Sequence, residues 1–446
     1  MRNNIYKLVA FAIGISVMSG SIVPAFAADT TTQNTSTTTS VQSQTMGKPI
    51  LTLDDAIKTA ISNSETLALD EQKISYQDKI NNVNEKLDDF SVDSNTISDE
   101  NKDLDSDTAD ITLNQLKQQR DFDEDKLIQK TTKAYNDIVT SQMKIDKEAK
   151  DLEIKNKELN NTKLKNSLGV VITTDLTATQ IQIESLQNAQ KSSQNALKDA
   201  QYSFKVLTGK DVTQYSLEKD IKYDVFKIDG SVDEYLDNAI DNYLKYKTQL
   251  IQLNKDYYTD DSNSITVTSA PDPKKYEISD LTNDAINSYK DEMTTAKNGI
   301  VKEDDIDTNL ADYEKYLDSM NTYTNATETY AEALAARLIY LNTKIGTYES
   351  ETALNEAKKT YKESLRSLYT NLLTAEDSIN TLKKQIELNN KQLSNAKLKC
   401  DLGLLTKSDY NTQVVSSEDF ELQLRSLIDS YNTLKEDIQK PWIAFS

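Results

Sequence analysis

The stretch KLKNSLGVVITTDL, residues 163–176, returns as KLKCDLGLLTKSDY at 397–410. The shift is 234 residues, and it pairs Leu168, Gly169 and Asp175 with Leu402, Gly403 and Asp409. Upstream, EIKNKELNN from Glu153 aligns with ELNNKQLSN from Glu387. About half of the positions in this window are identical, and a copy at fixed shift is the mark of an internal repeat. Each copy has a helix pattern before it, one Gly in the middle and an Asp six residues later, at the start of a second helix pattern. Glycine takes the left-handed backbone that ends a helix, and Thr, Ser or Asp caps the next. The expectation is two helical hairpins with Gly169 and Gly403 at their tips. Val170, Val171, Leu404 and Leu405 then lie at exposed turns, where apolar side chains invite docking. Packing of the two tips on each other is the competing expectation.

Working outward, the arms carry a seven-residue period. Ile138, Ile145, Leu152 and Leu159 become, under the same shift, Leu372, Ile379, Ile386 and Leu393, and the next step is Cys400. Beyond the tips, Leu176, Ile183, Leu197 and Phe204 keep the period, as do Tyr410, Leu424, Tyr431 and Ile438. A sustained heptad implies helices coiled against neighbours. An arm from Arg120 to Leu168 spans about 70 Å at 1.5 Å per residue and needs a partner arm or subunit to cover its stripe. The fold class expected is all-α, with long coiled-coil hairpins in two tandem repeats.

The starts of the repeats are also legible. LTLDDAIKTAISNS begins at Leu51, with Thr52 placed to cap and Leu53, Ile57, Ala60, Ile61 and Leu67 on one face. A weaker copy begins at Ser231, shifted by 179, so the second repeat carries extra residues, placed near 256–320. The organisation expected is a signal peptide over 1–27, a flexible Thr/Ser-rich leader over 28–48, a first hairpin repeat over 49–210 and a linker over 211–230. A second repeat covers 231–440 and a short tail 441–446. The signal reading rests on Arg2 and Lys7, the apolar run Leu8–Met18 and the Ala25-Phe26-Ala27 cleavage pattern.

Composition agrees with thin helical bundles. The 446 residues contain 9 Gly and 5 Pro, and mean hydropathy is −0.63, which suits a narrow buried stripe better than a large interior. A net charge of −21 repels nucleic acid and anionic lipid. With no His and one Cys, His-assisted nucleophiles, His metal sites and intrachain disulfides are closed. No catalytic arrangement and no cofactor motif is found. The acidic run Asp121, Asp123, Glu124 and Asp125 lacks the glycine-bearing loop of a calcium site, and Cys400 is expected to pack as a small hydrophobe.

Two hairpin repeats with these openings and G-x-x-x-x-x-D tips resemble the TolC family of outer-membrane efflux and secretion channels. The carriers are LTLDDAIKTAISNS (51–64), AYNDIVTSQMKI (134–145), LGVVITTDL (168–176), FKVLTG (204–209) and LGLLTKSDY (402–410). The resemblance implies a homotrimer whose hairpins build an α-helical tunnel. It implies docking on a membrane-fusion adaptor and its pump through Leu168, Gly169, Val170, Val171, Leu402, Gly403, Leu404 and Leu405. It also places Asp175 and Asp409 near the tunnel's closed end. Where the family pattern has an acid three residues after the second tip Asp, this chain has Thr412. The family also inserts membrane strands between the long helices. The corresponding stretches here, 90–112 and 256–320, do not alternate as membrane strands must, so a helical tunnel without a standard barrel is expected. The location implied is the cell envelope after export: the outer membrane if the cell has one, otherwise the cell wall or the extracellular space. An exported coiled-coil scaffold without a pore is the alternative.

Overall fold

The computed structural model describes residues 48–90, 99–169, 173–259, 283–299 and 306–445. The expected signal peptide and nearly all of the leader, with Val170 and Val171, lie outside the described residues. A two-residue strand β1 (Ile50–Leu51) leads into α1 (Leu53–Asn63) and α2 (Glu65–Phe90). The long α3 (Asp99–Ser167) is followed by α4 (Thr173–Thr208), a 3-10 turn at Val212–Gln214 and β2 (Ser216–Leu217), which pairs in parallel with β1. Then come α5 (Val232–Tyr243), α6 (Lys245–Thr259), α7 (Asn283–Gly299), α8 (Ile306–Asp401), α9 (Lys407–Gln439) and α10 (Pro441–Ala444).

α3 begins well before Arg120, because its acidic first stretch is helical despite having little apolar surface. The two places where the family resemblance implies membrane strands are helical wherever they are described: α3 covers 99–112, and α6, α7 and α8 enter 256–320. Among the described residues no helix is long and apolar enough to cross a membrane.

The chain divides into two compact units. The first combines Met1–Asp70, Gln119–Tyr243 and Thr360–Ser446. Its α1 starts as its sequence dictates: the Thr52 hydroxyl accepts from the Asp55 amide at 3.1 Å. Ala56 of α1 packs with Leu51, Tyr135, Ile138, Val139, Phe204 and Val212 in one apolar core. Two heptad positions, Ile138 and Phe204, meet there and are fully buried, and the partly buried Leu197 packs against them. Leu372, Ile379, Tyr431 and Ile438 are buried as well. The stripe thins towards the tips: Leu152, Leu159, Ile386 and Leu393 are only half-buried. Cys400, expected to be buried by packing, is half-buried too, at the thin end of the stripe where its helix stops one residue later.

A second cluster in this unit is aromatic. Trp442 of α10 stacks on Phe122 at 4.4 Å, Phe122 tilts against Tyr243, Tyr243 against Tyr361, and Phe445 stacks on Tyr361 at 4.5 Å. Burial pushes the Tyr243 phenol up to about 12, with Tyr361 beside it adding to the shift. The Trp442 indole also donates to Asp125 at 2.9 Å. The other acids of that run are ion-paired, Glu124 with Arg120 and Asp123 with Lys126. Among the described residues no acidic or thiol cluster could hold a metal.

The second unit combines Glu71–Gln118 and Leu244–Lys359. Leu113, Ile251 and Leu354 are buried in it, and Lys255 pairs with Glu351 at 2.8 Å.

Candidate docking tips and the strap beneath them

The second tip forms as its glycine dictates. Gly403 has φ +72°. Its amide donates to the Cys400 carbonyl at 3.0 Å, and the Leu404 amide reaches back to the Lys399 carbonyl at 2.8 Å. These two bonds are the pair that closes a helix in a Schellman turn. Gly169 has φ +71°, and its amide donates to the Asn166 carbonyl at 3.0 Å, the equivalent of the first bond. Thr406 then caps α9: its hydroxyl accepts from the Asp409 amide at 3.0 Å and donates to the Asp409 carboxylate at 2.7 Å. Asp409 is therefore engaged in capping as well as standing at the tip. Asp175 occupies the same first-turn position of α4, with its side chain exposed. Each tip sets a lysine, Lys165 or Lys399, in the last turn before it and an acid in the first turn after it, matching both helix dipoles.

The tips present apolar side chains to solvent. Leu168 is 69% exposed, Leu402 65% and Leu404 75%, while Leu405 is half-buried. Side chains this exposed are not covered by the other tip, so mutual packing of the tips, the competing expectation, does not occur at these leucines. One turn back, Leu164 and Leu398 are 61% and 60% exposed, which extends each apolar tip along its helix.

A polar network that the sequence did not disclose joins α3, α9 and the segment after β2. Arg425 is buried. Its Nε donates to the Thr140 hydroxyl and one Nη to the Asn136 amide oxygen, both at 3.0 Å, and its other Nη donates to the Lys219 carbonyl. Asn136 in turn donates to the Asp429 carboxylate at 2.6 Å. Burial holds the Asp429 carboxyl above the usual range, opposed mainly by that bond. Burial likewise lowers the Arg425 guanidinium, which still carries its charge at any ordinary pH. The Tyr135 hydroxyl donates to the Leu51 carbonyl at 2.7 Å and accepts from the Glu218 amide at 2.8 Å. The Tyr431 hydroxyl accepts from the Phe226 amide at 2.8 Å, and Asn432 donates to the Lys222 carbonyl at 2.9 Å. Residues 218–226 are thus a strap, tied through backbone groups to side chains of α3 and α9. Further along, Lys147 pairs with Asp419 and Lys150 with Glu418.

Arg425 left one faint signal, as one of five arginines among 51 basic residues. A guanidinium is chosen where several fixed acceptors must be met at once.

The architecture has counterparts among solved structures. CusC, described in a study of conformational changes accompanying folding and transmembrane channel formation, superposes with a TM-score of 0.51 and 10% identity. The match covers 88% of this chain and 91% of that one. The outer-membrane channel OprN superposes with a TM-score of 0.52 and 11% identity, over 88% of this chain and 90% of that one. The fold is TolC-like. No protein-family model matches the sequence, and no curated protein matches it either. At this identity it is the fold that is shared, and the TolC-like protomer is recognised through its two hairpins rather than through conserved sequence.

Proposed function

We propose that the chain is the tunnel component of a cell-envelope efflux or secretion system. On this reading it is a homotrimer that docks through its hairpin tips on a membrane-fusion adaptor coupled to a pump. The observation that supports this best is the repeated tip: two Gly-closed turns carrying leucines that stay largely exposed, Leu168 on one and Leu402 and Leu404 on the other, on a TolC-like fold. Leu168, Gly169, Val170, Val171, Leu402, Gly403, Leu404 and Leu405 are the docking residues on this reading, and Asp175 and Asp409 lie beside the narrow end. The chain then works as a conduit, with the chemistry and the energy supplied by its partners, and it acts in the envelope after export. No nucleic acid is involved.

A second reading, an exported coiled-coil scaffold without a pore, draws on the helices that stand where membrane strands would be expected. Light scattering on residues 28–446, with and without detergent, separates the two. A trimer supports the tunnel, and a monomer in both conditions refutes it. Leu402→Asp with Leu404→Asp is expected to abolish export in the native host while leaving the helical circular dichroism unchanged. Unaltered export would refute the docking role of the second tip.

A further inference from the structure

Helices bury their apolar stripe, but two helices of the second unit do the reverse. On α2, Tyr76, Ile80, Val83 and Leu87 are between 50% and 63% exposed. Their alternating steps of four and three residues are those of a coiled-coil seam. The face of α2 turned to its own protomer, about a third of a turn away at 100° per residue, carries Ile74, Gln77 and Asn81, which are half-buried. Gln77 donates to Asn81 at 2.9 Å, and Asn81 donates to the Ala109 carbonyl of α3 at 3.2 Å. This bond to α3 is polar, while Tyr76, Ile80, Val83 and Leu87 remain half or more exposed beside it.

α8 repeats the inversion. Leu334, Leu338, Leu341, Ile345 and Tyr348 follow the same alternating steps and are between 40% and 61% exposed. Opposite Leu341, Ile345 and Tyr348 stand Thr343, Thr347 and Ser350, which are half-buried, before the buried Leu354 restores the ordinary pattern.

We infer that these are the two sides of one contact between copies of this chain, α2 of one copy packing against α8 of the next. The stripes are narrow, of the a/d kind that a partner helix fills, whereas a lipid-facing helix is apolar over most of its circumference. Between residues 71 and 87 the charges of α2 balance, Glu71, Asp78 and Glu85 against Lys73, Lys79 and Lys86, so the helix lacks the basic face that an anionic lipid surface attracts, and the chain's net charge of −21 repels such a surface. Two unlike seams on one protomer are both satisfied only by a head-to-tail contact, which closes into a ring when the rotation allows. Pairing of like seams would leave the other seam exposed. The nine side chains together offer on the order of 1,000 Å² of two-sided contact, close to what a specific interface requires. The inference rests on the ring-forming reading given above and adds where copies touch: a helical collar in the unit that stands in place of the barrel.

Cross-linking tests it. In a Cys400→Ser background, Val83→Cys and Leu341→Cys chains with different tags are co-expressed. They are then treated with a bis-maleimide of about 10 Å span, enough for a one-turn offset of about 5.4 Å. The expected product is a dimer carrying both tags, at least tenfold more abundant than from either variant alone. The double variant in one chain is expected to give a ladder up to the ring. A ring by light scattering without two-tag product overturns the seam and leaves the tunnel reading standing, while a monomer without product overturns both. Cross-links only within single chains of the double variant mean that the protomer fills its own seam, which also overturns the inference. Ile80→Asp with Ile345→Asp is expected to dissociate the ring with the helix signal retained. An unchanged mass, with loss of flotation on phosphatidylglycerol–phosphatidylethanolamine vesicles, would assign the stripes to lipid instead.

Discussion

Replacing Arg425 by Met removes a buried cation and three donated hydrogen bonds while keeping much of the stem's volume. The variant leaves the Lys219 carbonyl and the Asn136 amide oxygen without this donor and removes one of the two cations, with Lys133, that favour the charged Asp429. Each orphaned buried acceptor costs about 1–3 kcal/mol, and breaking a buried charge network costs about 3–5 kcal/mol in all. The chain's one tryptophan, Trp442, sits in the same unit and reports on it by fluorescence. Urea unfolding followed at Trp442 is expected to show a midpoint lower by roughly 1–1.7 M, taking an m-value of about 3 kcal/mol/M. Arg425→Lys keeps the charge but loses the fork, so about half of the loss is expected to remain. The strap amides of Glu218 and Phe226 are expected to exchange faster with solvent in the Met variant. A midpoint within 0.2 M of wild type, with strap exchange unchanged, would refute the claim that this network holds the strap.

Burial raises the carboxyls of Asp429, Glu436 and Asp437, all on α9. A folded-state pKa above the unfolded value means that the native state binds the proton more tightly. Stability of the first unit is therefore expected to rise as pH falls from neutrality through the raised values, with the gain complete below the ordinary carboxylate range. Asp429→Asn with Glu436→Gln and Asp437→Asn is expected to flatten that slope in thermal melts at several pH values. Gly403→Ala places a side chain at φ +72° in open space, so the cost is the backbone term alone, about 1–2 kcal/mol, read as fraying of the end of α8 in hydrogen exchange. Trp442→Ala removes the 4.4 Å stack on Phe122 and the bond to Asp125 and is expected to cost less than the about 3–5 kcal/mol of a fully buried aromatic, because Trp442 is half-buried, measured by the circular dichroism melt of the first unit.

Local and periodic features could be read in advance. Thr52 caps α1, Gly169 and Gly403 take the left-handed turn, and Ile138, Leu372, Ile379 and Ile438 are buried where the heptad puts them, because each depends on residues a few positions away. What escaped depends on residues far apart. Arg425 meets Asn136 and Lys219 across 289 and 206 positions, and Phe445 finds Tyr361 only after folding. The strap read as a linker because its hydrogen bonds go to side chains of other elements and leave no period of their own. The site was legible as a pair of tips, but the second role of Asp409, as partner of the capping Thr406, needed the geometry.

The duplication also has a mechanical side. Carried back by 234 residues, Arg425, Asp429 and Tyr431 become Lys191, Asn195 and Leu197. Leu197 packs against an apolar cluster, where its counterpart Tyr431 accepts a directional bond from the Phe226 amide. Apolar contact is non-directional and tolerates small slips, whereas a guanidinium held by three acceptors permits one alignment only. At these positions one repeat of this chain is therefore keyed and the other greased. Axial shear applied to the helices should be taken up first along α4, with α9 remaining in register until its key is broken.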